Sequence, residues 1–241
     1  MRDRALDPRR LTPRLHHWSI PDREVARHES RRGRRHAYET LTPARTALVV
    51  IDMVPFFLAQ SETAQGIVPT VNALATALRS AGGVVAWVVP GLPRQPAWAE
   101  AFYGPEVAAT YGASGGTGPA PDRLWPGLAR DAADLVVEKS GASAFFPGNS
   151  TLPADLAARG VNTVLIAGTV TNVCCESSAR DAAALGLRVV FLADGTAAPT
   201  DTIHNATLVT IYRSFGDVRP VAEVIGMLGA AQHRAGAGCP S

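Results

Sequence analysis

Short apolar runs alternate with stretches of helical periodicity along most of this chain, a pattern that predicts a parallel α/β architecture. Thr46 to Ile51, TALVVI, is the first strongly apolar run and reads as a strand buried on both faces. Over residues 67–81, Ile67, Val71, Leu74 and Leu78 recur at helical spacing, and Gly82 and Gly83 supply a stop. Val84 to Val89 predicts a second strand and Asp134 to Lys139, DLVVEK, a third. Residues 161–167, 187–193 and a weak run near Val218 complete the set. Helices are predicted over 152–159, from Cys174 to about 185, over 201–215 with Asp201 as a cap, and over 221–228. Repeated strand and helix units of this length imply right-handed crossovers. The expected fold is a three-layer α/β/α domain around a mostly parallel six-stranded sheet, spanning residues 41–230. Residues 1–40 read as a basic N-terminal extension and 231–241 as a tail.

Composition agrees with one domain, since 241 residues with 46% hydrophobic content are ample for a core. No run approaches the roughly 20 apolar residues of a membrane span, and the arginine-bearing N-terminus lacks the apolar centre of a signal peptide. Cys174, Cys175 and Cys239 are an odd set with two members adjacent, so no disulfide framework is indicated and a cytoplasmic location is expected. The net charge of +2 conceals an asymmetry: residues 1–40 hold 11 arginines against 6 acids, and the remainder 12 basic against 15 acidic groups. Arg31, Arg32, Arg34 and Arg35, with His28 and His36, form a basic cluster. No aromatic residues are interleaved and no nucleic-acid module follows, so the expectation is a solvated or subunit-wrapping extension without a nucleic-acid partner.

Three reactive residue types fall at predicted strand ends. Cys174 follows the apolar run that stops at Gly168 and stands where a helix begins; a helix N-terminus favours anions, which would bias the thiol toward thiolate. A buried structural cysteine is the alternative. Lys139 is the single lysine among 23 basic residues, which suggests a place where arginine cannot serve, because an ammonium is a compact charge whose pKa shifts readily. Asp52 ends the first strand, where it could equally begin a turn. In an open α/β sheet the carboxyl ends of the strands line one crevice, so all three should face a common site. Cys175, about 100 degrees around the helix from Cys174, reads as structural, and Cys239 as incidental.

VVIDMVPFF around Asp52, EKSGASAFF from Glu138 to Phe146, and GTVTNVCCESSARDAAALG from Gly168 to Gly186 give the chain its resemblance to the isochorismatase-like cysteine hydrolase superfamily, over roughly residues 46–228. The resemblance implies an Asp, Lys, Cys triad at Asp52, Lys139 and Cys174, the reactive cysteine being the one after Val173 in the TNxC pattern. It implies backbone N–H groups of Val170 and Cys174 as oxyanion donors and a cis peptide at Thr169–Val170. Vinyl-ether-cleaving members lack the cysteine, so the resemblance favours the amide-hydrolysing branch. A small amide, ureido or lactam substrate would then be cleaved through a thioester. Homo-oligomers, dimers or tetramers, are implied as well. Nicotinamidases of the superfamily hold a divalent ion with aspartate and histidines. This chain has no histidine between residues 37 and 203, so neither a metal nor another cofactor is expected, and His204 reads as a packing residue. Vinyl-ether or ester hydrolysis with a spectator cysteine, and a non-catalytic ligand-binding role, remain open at this point.

Substrate choice should reside in the connection from 90 to 134, rich in Gly and Pro and carrying Trp98, Phe102, Tyr103, Tyr111 and Trp125. Phe57, Trp98, Tyr103, Phe145 and Phe146 are the expected pocket walls. For the phenylalanines ordinary core packing is an equally good reading.

Overall fold

The computed structural model describes residues 11–91 and 98–237, with side chains to 232. Its elements in chain order are α1 (Asp22–Arg32), β1 (Thr46–Ile51), α2 (Pro55–Leu58), α3 (Glu62–Gly66), α4 (Val68–Ser80), β2 (Val84–Pro90), α5 (Trp98–Tyr103), α6 (Pro105–Gly112), β3 (Leu135–Lys139), α7 (Leu152–Ala158), β4 (Thr163–Thr169), α8 (Glu176–Ala184), β5 (Arg188–Ala197), α9 (Asp201–Ser214), β6 (Asp217–Arg219) and α10 (Val221–Ala237). A π-helical turn, Thr171–Cys175, joins β4 to α8.

The six strands form one sheet in the order β3-β2-β1-β4-β5-β6, and every pair is parallel. Parallel strands are covered on both faces, and alternate residues of β1 accordingly divide between two cores. Ala47, Val49 and Ile51 pack with Leu152, Leu156, Ala179, Leu208 and Ile211, whereas Leu48 and Val50 pack with Val71, Leu74, Leu78, Val224 and Leu228. The expected three-layer α/β/α fold is the observed one. Two short helices that the apolar pattern did not signal, α2 and α3, follow β1, and the 90–134 connection contains α5 and α6. Strand β5 runs four residues past its expected end at Ala193, through a bulge opposite Gly168.

The chain runs outward from β1 to β2 and β3, then returns to place β4 on the other side of β1. This reversal puts the switch point of the sheet at the β1–β4 seam, where Ile51 pairs with Gly168. Gly168 has φ +111°, and a Cβ there would lie 2.1 Å from the Ile51 carbonyl oxygen. Only glycine allows the two strands to approach this closely.

Residues 11–41 pack against the body of their own chain. Ile20 enters the core, the Asn205 side chain bridges the Ser19 amide and the His17 carbonyl, and the buried Asp217 carboxylate accepts the Ala37 and Tyr38 amides at 2.7 and 2.8 Å. The segment is thus an intramolecular strap. No described helix is long and apolar enough to cross a membrane.

Replacing Gly168 with alanine should destabilise the fold by about 3 kcal/mol or more, through strand separation and a left-handed backbone. A urea unfolding midpoint close to that of the wild type would contradict this account of the seam.

Candidate active site

Asp52, Lys139 and Cys174 converge at the carboxyl edge of the sheet, around the switch point. Asp52 directly follows β1, and its amide continues the ladder by donating to the Val88 carbonyl at 2.8 Å. Its φ of +52° is the one positive value among described residues other than glycine. Such a conformation costs a non-glycine residue roughly 1–3 kcal/mol and tends to occur where the surrounding structure fixes a functional side chain. Thr169, at the end of β4, holds Asp52 in place by donating its hydroxyl to the Asp52 carbonyl at 2.7 Å.

Lys139 ends β3, two strands away from β1, on the order of 10 Å across the sheet. That separation suits the four-carbon lysine stem ending in a compact cation. Its Nζ lies 2.8 Å from Asp52 Oδ2, donates to the Gly141 carbonyl at 2.9 Å and approaches Cys174 Sγ at 3.6 Å. All three side chains are almost entirely buried. The Asp52 carboxylate also lies within hydrogen-bonding reach of the Cys174 thiol.

The turn bearing Cys174 is held from two directions. Thr171 Oγ1 meets His204 Nδ1 at 3.0 Å, and His204 Nε2 meets the Ala193 carbonyl at 3.0 Å. Because the carbonyl can only accept, the Nε2 proton is assigned there and Thr171 donates to Nδ1. His16 of the strap stacks on His204 at a centroid distance of 4.2 Å. Burial and the neighbouring His16 lower the His204 pKa to about 4, so this imidazole stays neutral. On the other side, Ser178 Oγ of α8 accepts the Ala144 amide at 3.0 Å, tying the helix after Cys174 to the loop after Lys139. The peptide between Thr169 and Val170 is cis, at the position named from the sequence.

The electrostatics oppose the bias toward thiolate expected from a helix start. Burial, followed by the Asp52 charge, pushes the Cys174 thiol up to about 12, against the opposing effect of Lys139. Cys174 lies inside the π-helical turn ahead of α8 and is almost fully desolvated, and these terms outweigh any helix-terminus preference for an anion. Burial raises the Asp52 pKa although Lys139 opposes it. Burial also disfavours the Lys139 ammonium, but Asp52 and Cys174 together outweigh it and move its pKa upward. Burial thus disfavours a standing thiolate beside the Asp52–Lys139 pair.

A cavity of about 210 Å³ opens onto the cluster, walled by Asp52, Lys139, Cys174, Phe57, Tyr111 and Ser114, with Pro90, Gly91 and residues 140–142 completing it. Buried Arg123 fixes the outer connection by donating to the Pro90 and Gly115 carbonyls and pairing with Glu138. Phe57 therefore reaches the cavity, whereas the other expected wall residues lie outside its lining. Phe145 is fully buried in the core, because its amide and that of Phe146 fold back onto Ser143 Oγ and turn its ring inward. Phe146 lines a separate surface depression with Arg180 and Asp181. Trp98 and Tyr103 stand exposed on α5, their rings tilted against one another with centroids 5.8 Å apart. Tyr111, Ser114 and Thr169 were not singled out as site residues from sequence; Gly141 could have been, from the GAS triplet after the lysine. Among the described residues no three His, Cys, Asp or Glu side chains gather as a metal site.

Residues 46–223 match the isochorismatase domain, and the chain belongs to the isochorismatase family, whose members are hydrolases. The ureidoacrylate amidohydrolase RutB of Agrobacterium fabrum is 30% identical over 219 residues, covering 80% of this chain and 93% of that protein. Nicotinamidase 3 of Arabidopsis thaliana is 40% identical over 82 residues, covering 34% of this chain and 40% of that protein. The cysteine hydrolase of Pseudomonas syringae pv. phaseolicola superimposes with a TM-score of 0.71 at 29% identity, covering 81% of this chain and 98% of that one.

Removing the cation should expose the cost of the buried carboxylate. Lys139→Met is expected to lower stability by about 3–5 kcal/mol at neutral pH. Without its partner Asp52 titrates at a still higher pH, so the folded state binds a proton more tightly than the unfolded state. The variant's stability should therefore fall as pH rises through the folded pKa, and adding Asp52→Asn should restore much of it. Urea midpoints of both variants between pH 5 and 8 provide the check.

Proposed function

We propose that this chain is a cysteine-dependent amidohydrolase that cleaves a C–N bond of a small amide, ureido or lactam substrate through a thioester on Cys174. The observation that carries the reading is the placement of one buried ammonium within 2.8 Å of a carboxylate and 3.6 Å of a thiol, beside a cavity. The likeness to a ureidoacrylate amidohydrolase along most of both chains supports the C–N choice.

In this scheme the substrate carbonyl enters over Cys174. Asp52 accepts the thiol proton as Sγ forms its bond to the carbonyl carbon, so a thiolate exists only as it attacks and the high resting pKa is no obstacle. Lys139 remains protonated, stabilises the developing sulfur charge and keeps the Asp52 carboxylate oriented. The Val170 and Cys174 backbone N–H groups receive the oxyanion; one such donor is worth on the order of 3 kcal/mol in a transition state. Collapse of the tetrahedral adduct breaks the C–N bond, and Asp52 returns its proton to the departing nitrogen. Water then gives a proton to Asp52 and adds to the thioester. Breaking of the C–S bond releases the acid, and the proton on Asp52 returns to sulfur. Phe57 and Tyr111 are the side chains assigned to hold the substrate. Oligomerisation is retained as part of the proposal on the family resemblance, and no bound cofactor enters the scheme.

Cys174→Ala should reduce kcat by at least about a thousandfold while the thermal midpoint stays near that of the wild type. Full amine release by that variant would remove the thioester route. The kcat/KM profile should rise with pH through an Asp52 pKa above the ordinary carboxylate range, because the ionised form is the base. A profile flat from pH 4 to 8 would reject Asp52 in that role.

A further inference from the structure

A second, larger chamber of about 600 Å³ lies beside the catalytic cavity, and Phe57 belongs to the walls of both. Thr169 and Val170, which lead into the turn bearing Cys174, line it as well. The N-terminal strap forms part of its wall, contributing Leu11 and Arg14. The strap's course there is fixed: the Arg14 amide donates to the Glu62 carbonyl at 3.1 Å, and a Cβ on Gly66 would lie 2.0 Å from the Arg14 carbonyl oxygen. His16, two residues on, is anchored by Asp201 at 2.6 Å and by the Ala198 amide at 3.0 Å.

The walls are largely apolar, with Leu11, Phe56, Phe57, Val170, Ala198 and Pro199 among them. Arg14 and Glu62 are the charged residues of the lining, and they compensate one another across 3.7 Å, with Asp201 a further 3.5 Å contact of Arg14. A chamber of this size falls in the range that holds small ligands, whereas the catalytic cavity is large enough only for a compact amide or ureido group. Among the described residues neither cavity presents a cation free of a carboxylate partner.

We infer that this strap-lined chamber is a specificity subsite that receives a neutral, bulky apolar substituent of the substrate, carried past Phe57 while the scissile carbonyl sits at Cys174. The preferred substrates are then N-alkyl or N-arylalkyl amides and ureas, and carboxylate-bearing ureido acids are poorer ones. The assignment rests on the amidohydrolase reading of the adjoining site.

The test measures equilibrium binding of ethylurea, butylurea, hexylurea and phenethylurea to Cys174→Ala by calorimetry, with ureidoalkanoic acids of matched length as charged comparators. Amine release from each of the four ureas by the wild type is followed in parallel. Affinity should rise about fourfold for each methylene buried, and each matched acid should bind at least about tenfold more weakly. Gln60→Trp fills the chamber from an exposed wall position; it should flatten the series while leaving ethylurea binding unchanged. A flat series, or acids that bind as well as their neutral counterparts, overturns the subsite regardless of turnover. A rising series without amine release by the wild type keeps the subsite and rejects the amidohydrolase reading.

Discussion

The rest of the site is arranged around the close parallel seam between β1 and β4. The seam exists because Gly168 lacks a side chain where the Ile51 carbonyl passes, and because β1 contributes apolar residues to both cores. Closing it brings the residue after one strand, Asp52, beside the turn after the other, which bears Cys174. Thr169 then joins the two ends with a hydrogen bond to the Asp52 backbone. A wider seam would separate Asp52 from Cys174 without changing either residue.

Around that seam the electrostatics are those of a group of charges withdrawn from water together. A carboxylate, an ammonium and a thiol share one desolvated space, and the cost of burial is offset by the 2.8 Å pair between the first two. The same burial raises the Asp52 pKa and disfavours the Cys174 thiolate. Such a cluster favours transfer of a proton within itself over standing ionisation of the thiol, and it places a fixed cation where charge would develop on sulfur.

The strap shows a different use of the N-terminal sequence. Its arginines suggested a solvated or subunit-wrapping extension; within the chain, Asp217, Tyr212 and Asn205 hold it against α9 and β6 through backbone contacts. Through His16 it supports His204, and through His204 the first residue of the nucleophile turn. One segment therefore both buttresses the turn and walls the neighbouring chamber.

The sequence by itself determined the sheet, the helices that cross between its later strands and the gathering of Asp52, Lys139 and Cys174 at one edge. Apolar runs such as TALVVI and the glycines that end helices are local signals, and a parallel sheet brings its strand ends to one edge whatever lies between them. Only the tertiary structure decided the protonation of Cys174, because desolvation depends on what packs over a group and not on its neighbours in the chain. It also decided that Phe57 faces the cavity while Phe145 turns into the core: both follow reactive residues by a few positions, and backbone turns, invisible to periodicity, set their direction. The strap's docking was equally hidden in the sequence, since its partners Asp217, Asn205 and Glu62 lie far along the chain and no local pattern links them.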